Sequence, residues 1–130
     1  NLPPVNHKLL VNILIVDDEM INRVLIDSII KNLGYNCDNV SNGQEALEAL
    51  EALKNKTYLL VFTDIEMPIM NGIELVRSIK SSPDFSNLPV IAITGKAYEE
   101  IADAGFSDFM NKTIAESQLE FMIEQYIKLA

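Results

Sequence analysis

Five polar side chains stand where short apolar runs end. Asp17 and Asp18 follow Asn12–Val16, Asp64 follows Tyr58–Thr63, Thr94 closes Val90–Thr94, and Lys112 lies just past Phe106–Met110. Three carboxylates in one pocket would repel each other and raise each other's pKa unless a cation were present. Hard oxygen ligands, with waters filling the remaining positions, suit Mg²⁺. A divalent ion, a hydroxyl and a lysine around one free carboxylate oxygen make a site for a phosphoryl group. The metal and the ammonium neutralise its charge and the threonine donates a hydrogen bond. A carboxylate can itself be the nucleophile in phosphoryl transfer. Each residue alone has a plainer reading: Asp17 or Asp18 as a helix cap, Thr94 as a strand end, Lys112 as a solvated lysine. The joint arrangement is what argues for chemistry.

The elements that must position these groups can be read from the apolar pattern. Short β-branched and aromatic runs predict strands at Asn12–Val16, Tyr35–Val40, Tyr58–Thr63, Val90–Thr94 and, more weakly, Phe106–Met110. Helical spacing predicts Met20–Leu33, with Ile21, Val24, Leu25, Ile29 and Leu33 on one face and Gly34 as its stop. Ser41 with Gln44, Asn42 with Glu45, Asn71 with Glu74 and Thr113 with Glu116 offer capping boxes. The second helix carries the triplet Glu-Ala-Leu three times from Glu45 to Leu53. That gives an Ala/Leu side and a glutamate side facing water, too short a period for a repeat architecture. Further helices are expected at Asn71–Lys80, at Tyr98–Ala104 ending at Gly105, and at the end, with Leu119, Met122, Ile123, Tyr126 and Ile127 on one face.

Five strands alternating with five helices imply a parallel sheet with helices on both faces and right-handed crossovers. All five polar groups then fall on one edge of the sheet. If strands 1 and 3 are neighbours, with strand 2 outside strand 1, the carboxylates converge at a topological switch point.

With 130 residues, the chain is long enough for one domain and too short for two. Residues 1–8, with two prolines and His7, read as a tail or linker remnant, and 9–130 as the domain. A net charge of −9 argues against a nucleic-acid surface. No apolar stretch is long enough to span a membrane. Cys37 is alone and no signal peptide is visible, so a cytoplasmic location, or the cytoplasmic part of a membrane-bound protein, is expected. The chain begins with Asn1 rather than Met, which reads as a piece of a longer or processed protein.

The segments ILIVDDE, FTDIEMPIMNG, VIAIT and FMNKTI carry a resemblance. The sequence resembles the receiver domain of two-component response regulators over about Leu10–Leu129, and the segment around Asp64 is the most specific part. The string DDEMINRVLIDSIIKNLGY is also similar to receivers attached to hybrid histidine kinases. The resemblance implies a flavodoxin-like, doubly wound five-stranded parallel sheet in the order 2-1-3-4-5. It implies that Asp64 accepts a phosphoryl group from the phosphohistidine of a histidine kinase or histidine phosphotransfer protein. Asp18, Asp64 and the main-chain carbonyl of Glu66 would ligate Mg²⁺, with Asp17 acting through a metal-bound water. Thr94 and Lys112 would contact the phosphoryl group, helped by the main-chain N–H groups of Ile65 and Gly95. Phe109 matches the family's switch aromatic. The resemblance leaves a homodimer open, with the 98–104 helix and the last helix as candidate surfaces.

The sequence departs from the family pattern in three places. Thr113 stands where proline usually follows the lysine in a cis peptide; a non-proline cis bond costs about 2.5–4 kcal/mol, so trans is expected. Gly95 replaces the usual alanine after the threonine, and Phe109 lacks the common tyrosine's hydroxyl. An apolar ring with no hydrogen bond to gain is expected to lie at least partly inward even before phosphorylation. Glu66 and Lys96 occupy the positions that flank the hydrolytic water in the family. As an opposed pair they would restrict that water and lengthen the phosphoaspartate's life. Two other classes compete. A haloacid-dehalogenase-type phosphohydrolase wants a second aspartate two residues on, where this chain has Glu66, and it needs a cap and more length. A pseudo-receiver that only binds partners would not need Asp17, Asp18, Asp64, Thr94 and Lys112 together.

Overall fold

The computed structural model describes residues 12–52, 58–95 and 97–127. The expected tail at 1–8, His7, Leu53 and Lys96 lie outside the described residues. Chain order is β1 (Asn12–Val16), α1 (Met20–Asn32), β2 (Asn36–Val40), α2 (Gly43–Ala52), β3 (Tyr58–Asp64), α3 (Gly72–Ser81), β4 (Val90–Thr94), β5 (Asp108–Asn111) and α4 (Glu116–Tyr126). The sheet order is β2-β1-β3-β4-β5 and every pairing is parallel. Successive strand residues point to opposite faces, and both faces are covered, which is why the inner strands β1, β3 and β4 are largely apolar while the edge strands β2 and β5 carry polar residues. Ile13, Ile15, Leu60, Phe62, Ile91, Ile93 and Met110 pack on one face against Ile26 and Ile30 of α1 and Leu119, Met122 and Ile123 of α4. Leu14, Val16, Val61 and Val90 pack on the other against Ala46 and Leu50 of α2 and Leu75, Val76 and Ile79 of α3. Phe62 is the largest fully buried side chain, and its truncation to alanine would cost about 3–5 kcal/mol.

Three local expectations are corrected. Of the expected α1 stripe, Ile29 and Leu33 pack against the core beside the buried Ile26 and Ile30, but Ile21 (81%), Val24 (60%) and Leu25 (44%) are exposed. Apolar residues run more than halfway round this helix, so spacing alone cannot say which stripe meets the sheet. The expected helix at Tyr98–Ala104 is a 3-10 turn over Tyr98–Glu100 followed by further turns. Its bonds, Glu100 N–H to Ala97, Ile101 N–H to Tyr98 and Ala104 N–H to Ile101, each span three residues. Seven residues with three unmatched acids nucleate an α-helix poorly. Thr113 does not cap α4; its N–H is donated to Asn111 Oδ1 (3.3 Å), and the cap position is Ala115. Of the other expected boxes, Asn71–Glu74 forms in full and Asn42–Glu45 in part, while Ser41 pairs with Glu45 rather than Gln44. Asn71 Oδ1 accepts from Glu74 N (2.8 Å) while Asn71 N donates to Glu74 Oε1 (3.1 Å). Asn42 Oδ1 accepts from Glu45 N (2.9 Å), and Ser41 donates its N–H and hydroxyl to Glu45 Oε1. Gly34, at φ +98°, ends α1 as the left-handed stop residue. Among the described residues no peptide is cis, so Lys112–Thr113 is trans, and no helix is long and apolar enough to cross a membrane.

Candidate phosphoryl-transfer site

β1 and β3 are adjacent, so their carboxyl ends bring Asp17 and Asp64 side by side at the switch point. Both are buried, at 2% and 3% exposure. Asp18 and Glu19 lie outside them in solvent, and one carboxylate oxygen from each of Asp17, Asp18 and Glu19 falls within 4.8 Å of the others. Glu19 was not among the residues expected in the cluster; its place directly after the two aspartates was the available signal. Arg23 was also missed. Its Nη1 donates to the Asp17 carbonyl (2.8 Å), tying the first turns of α1 to the end of β1. Asp17 Oδ1 accepts from Glu19 N (2.9 Å), which fixes its rotamer.

Asp64 Oδ1 accepts from the Ile65 N–H at 2.7 Å, and Lys112 Nζ stands 3.3 Å from each of its oxygens. Asp64, Ile65, Glu66, Thr94, Gly95 and Lys112 line a cavity of about 200 Å³. The ends of β3, β4 and β5 therefore deliver Asp64, Thr94 and Lys112 to one cavity, and the end of β1 sets Asp17 within electrostatic reach of Asp64 and Lys112. Gly72 is required beside it, since a Cβ there would run into the Asp64 carbonyl oxygen. Gly95 faces open space.

The electrostatics follow from this crowding. Burial pushes the Asp64 carboxyl above its ordinary range; Lys112 and the Ile65 N–H pull it back, and Asp18 pushes it up again. Burial also raises Asp17, with Asp64 and Asp18 adding to the effect. Burial alone would lower Lys112, but Asp64 and then Asp17 outweigh it and raise the ammonium. The site is short of positive charge, and its donors are all hard oxygens, the set that suits a small divalent cation.

The Phe109 ring is half-buried, in keeping with an apolar ring expected to lie at least partly inward. It packs with Ile65, Ala92 and Ile101 and stacks on Tyr98 with centroids 5.1 Å apart; Phe106 meets its edge at 6.0 Å. The expected Glu66–Lys96 pair falls outside the described residues because of Lys96.

The family model for the response regulator receiver domain matches residues 13–124. The chain belongs to that family. As a receiver domain it is 32% identical over 128 residues to hybrid signal transduction histidine kinase L of Dictyostelium discoideum, covering 93% of this chain and 8% of that protein. The receiver domain of a signal transduction histidine kinase from Syntrophus aciditrophicus superposes with a TM-score of 0.81 at 28% identity, covering 92% of this chain and 93% of that one. A sensor-kinase receiver domain from Pseudomonas aeruginosa, solved with a magnesium ion coordinated in its active-site cleft, has the same fold. Its TM-score is 0.80 at 24% identity, with 88% and 95% coverage. Receiver domains of this family serve two-component phosphorelay signalling, which places the chain in signal transduction.

Proposed function

We propose that Asp64 is the phosphoacceptor and that the donor is a phosphohistidine on a histidine kinase or histidine phosphotransfer protein. One observation carries the reading. Asp64 is a buried, under-neutralised carboxylate with a lysine 3.3 Å from both oxygens, opening on a cavity with room for a phosphoryl group. By resemblance to the family, Asp17, Asp18, Asp64 and the Glu66 carbonyl are the groups that would hold Mg²⁺. When bound, that ion would neutralise charge on the transferring phosphoryl group.

The chain's own residues do the rest. An Asp64 oxygen attacks phosphorus as the N–P bond of the donor breaks, and the electron pair leaves on the imidazole nitrogen. Lys112 follows the charge from carboxylate to phosphoryl oxygen. Thr94 donates its hydroxyl to another phosphoryl oxygen, and the Gly95 N–H supports it. The Ile65 N–H, now held by Asp64 Oδ1, turns to the phosphoryl group. A group carrying about −2 charge draws Thr94 inward and leaves room into which Phe109 settles. Catalysis is confined to the domain's own phosphorylation and dephosphorylation, and the switched surface signals to a partner or output domain. Incubation with phosphoramidate and Mg²⁺ should add one acid-labile phosphoryl group by mass. A chain that stays unlabelled, or an Asp64→Asn variant labelled as fully as the wild type, would refute the assignment.

A further inference from the structure

β2 delivers no side chain to the acceptor site, yet the corner that follows it is bonded to both halves of that site. Asp17 N donates to the Val40 carbonyl at 3.1 Å, and Gly43 N donates to the Met70 carbonyl at 3.0 Å. Gly43 opens α2, where the first N–H groups have no partner within the helix, and this one is given to the loop that leaves β3 after Asp64. The corner itself is fixed: Asn42 is buried, and its Oδ1 accepts from Glu45 N at 2.9 Å. Gly43 is not glycine for its backbone, since the positive-φ glycines among the described residues are Gly34 and Gly105. What it permits is a close approach. A Cβ at position 43 would stand 2.6 Å from Met70 Cγ and 2.9 Å from the Met70 carbonyl oxygen, and the second of these, being backbone, cannot swing aside.

The loop so held is stiff. Gly72 N closes its base on the Ile65 carbonyl at 2.8 Å, Pro68 has a fixed φ, and Met70 N turns back to the Pro68 carbonyl at 2.7 Å. Between Pro68 and Met70, Ile69 sits at φ +69°, a conformation that β-branched residues rarely adopt. Ile69 is 79% exposed, so its own packing does not hold it there, whereas the bond from Gly43 pins the very next residue. We infer that Gly43 is a positioning residue for the acceptor site: through Met70 it sets where the 65–72 loop carries the Glu66 carbonyl. This rests on the phosphoacceptor reading above and its Mg²⁺ ligand set. Asp64 is anchored separately, since it belongs to β3 and is registered against Ile93 of β4. A displaced loop therefore costs a metal ligand and leaves the nucleophile where it was. Mg²⁺ demands near-ideal octahedral geometry, whereas Ca²⁺ accepts a flexible shell, so the loss should fall on Mg²⁺ first.

Three variants separate positioning from stability. Gly43→Ala pushes on both the carbonyl and the side chain of Met70. Met70→Ala removes packing against the core between the sheet, α2 and α3 but keeps the carbonyl. The double variant relieves the side-chain clash and keeps the push on the carbonyl, so it carries the test if Gly43→Ala alone does not fold. Calorimetry reads Mg²⁺ and Ca²⁺ affinities, and amide hydrogen exchange is followed in chelator. Both variants carrying Gly43→Ala should bind Mg²⁺ roughly tenfold more weakly, the usual loss when a group that orients a metal ligand is disturbed. Their Ca²⁺ affinity should stay within about threefold of wild type. Phosphoramidate should label them within about twofold of the wild-type rate once Mg²⁺ saturates. Without metal, their position-43 amide should exchange faster. Met70→Ala should melt at a lower temperature and keep the wild-type Mg²⁺ affinity. Wild-type Mg²⁺ affinity in the variants carrying Gly43→Ala would overturn the role. An equal loss in Met70→Ala would overturn it too, since the effect would then be one of packing. A wild type that phosphoramidate and Mg²⁺ leave unlabelled would bring down the phosphoacceptor reading first, and this inference with it.

Discussion

Two aspartates in this domain each have a lysine close by, and their environments push them in opposite directions. Asp27 on α1 accepts from Cys37 Sγ (3.1 Å) and Asn39 Nδ2 (3.2 Å) and pairs with Lys31 Nζ (3.1 Å). Partial burial raises its carboxyl, but the bonds from Cys37, Lys31 and Asn39 more than reverse this, and its pKa is lowered. Burial, reinforced by the same contact, pushes the Cys37 thiol up to about 12, which keeps it protonated as a donor. Asp64 has its own lysine, yet burial and the neighbouring Asp18 leave its carboxyl raised. A carboxylate that serves the fold is given the donors it needs. One that serves chemistry is left short, and the shortfall is what a cation and a phosphoryl group can fill.

The sharpest way to break the comparison is chemical. Asp64→Asn should abolish acid-labile phosphorylation by phosphoramidate, while Asp27→Asn leaves it intact; mass spectrometry reads both. The lysines should divide in the same way. Lys112→Ala should slow phosphorylation by roughly 10²-fold, the usual loss when one preorganised donor to a transferring group is removed. Lys31→Ala should leave the rate within about twofold, since its side chain serves an exposed helical pair. Equal losses for the two would erase the distinction.

Stability should move the other way. In chelator at neutral pH, Asp64→Asn removes a charge the fold holds at a cost, so the variant should melt above the wild type. Asp27→Ala strands the Cys37 and Asn39 donors and should lose about 1–2 kcal/mol. Added Mg²⁺ should raise the melting temperature of the wild type more than that of Asp64→Asn, because ligand that binds only the native state stabilises it.

How far these features could be read in advance follows from where each one is encoded. Strand ends are marked by the change from apolar to polar residues, so Asp17, Asp18, Asp64, Thr94 and Lys112 could be placed on one sheet edge before any coordinates. The stripe that α1 buries could not, because Met20, Ile21, Val24, Leu25, Ile26, Ile29, Ile30 and Leu33 offer more than one apolar face. Which face wins is decided by the sheet that Ile26 and Ile30 meet. The 3-10 turn at Tyr98–Glu100 depends on tertiary context that a seven-residue pattern does not carry. The positive φ of Ile69 (+69°), where the Met70 N–H donates back to the Pro68 carbonyl, left no mark at all, since a β-branched residue argues against that backbone conformation.

The smallest expected effect is also the one whose sign is least ambiguous. Asp27 has a folded pKa below its ordinary 3.8. The native state therefore holds its proton less tightly than the unfolded chain, and stability rises with pH across the interval between the two values. The Asp27 contribution is full above 3.8, fades as pH falls through the lowered folded value, and is gone below it. Asp64, raised in the folded state, does the reverse. Its cost is absent below 3.8 and grows as pH rises through the higher folded value. Denaturant melts of wild type, Asp27→Ala and Asp64→Asn in chelator, taken from neutral pH down into the carboxylate range, should show both differences shrinking with opposite signs. The pH-dependent part of the Asp27 difference should be about 1 kcal/mol or less, since one of its partners is a half-exposed lysine. What remains at the lowest pH measures the packing and neutral hydrogen bonds that alanine loses. A difference for Asp27→Ala that grew on acidification would show that Cys37, Asn39 and Lys31 do not favour the charged carboxylate, and the contrast with Asp64 would fail.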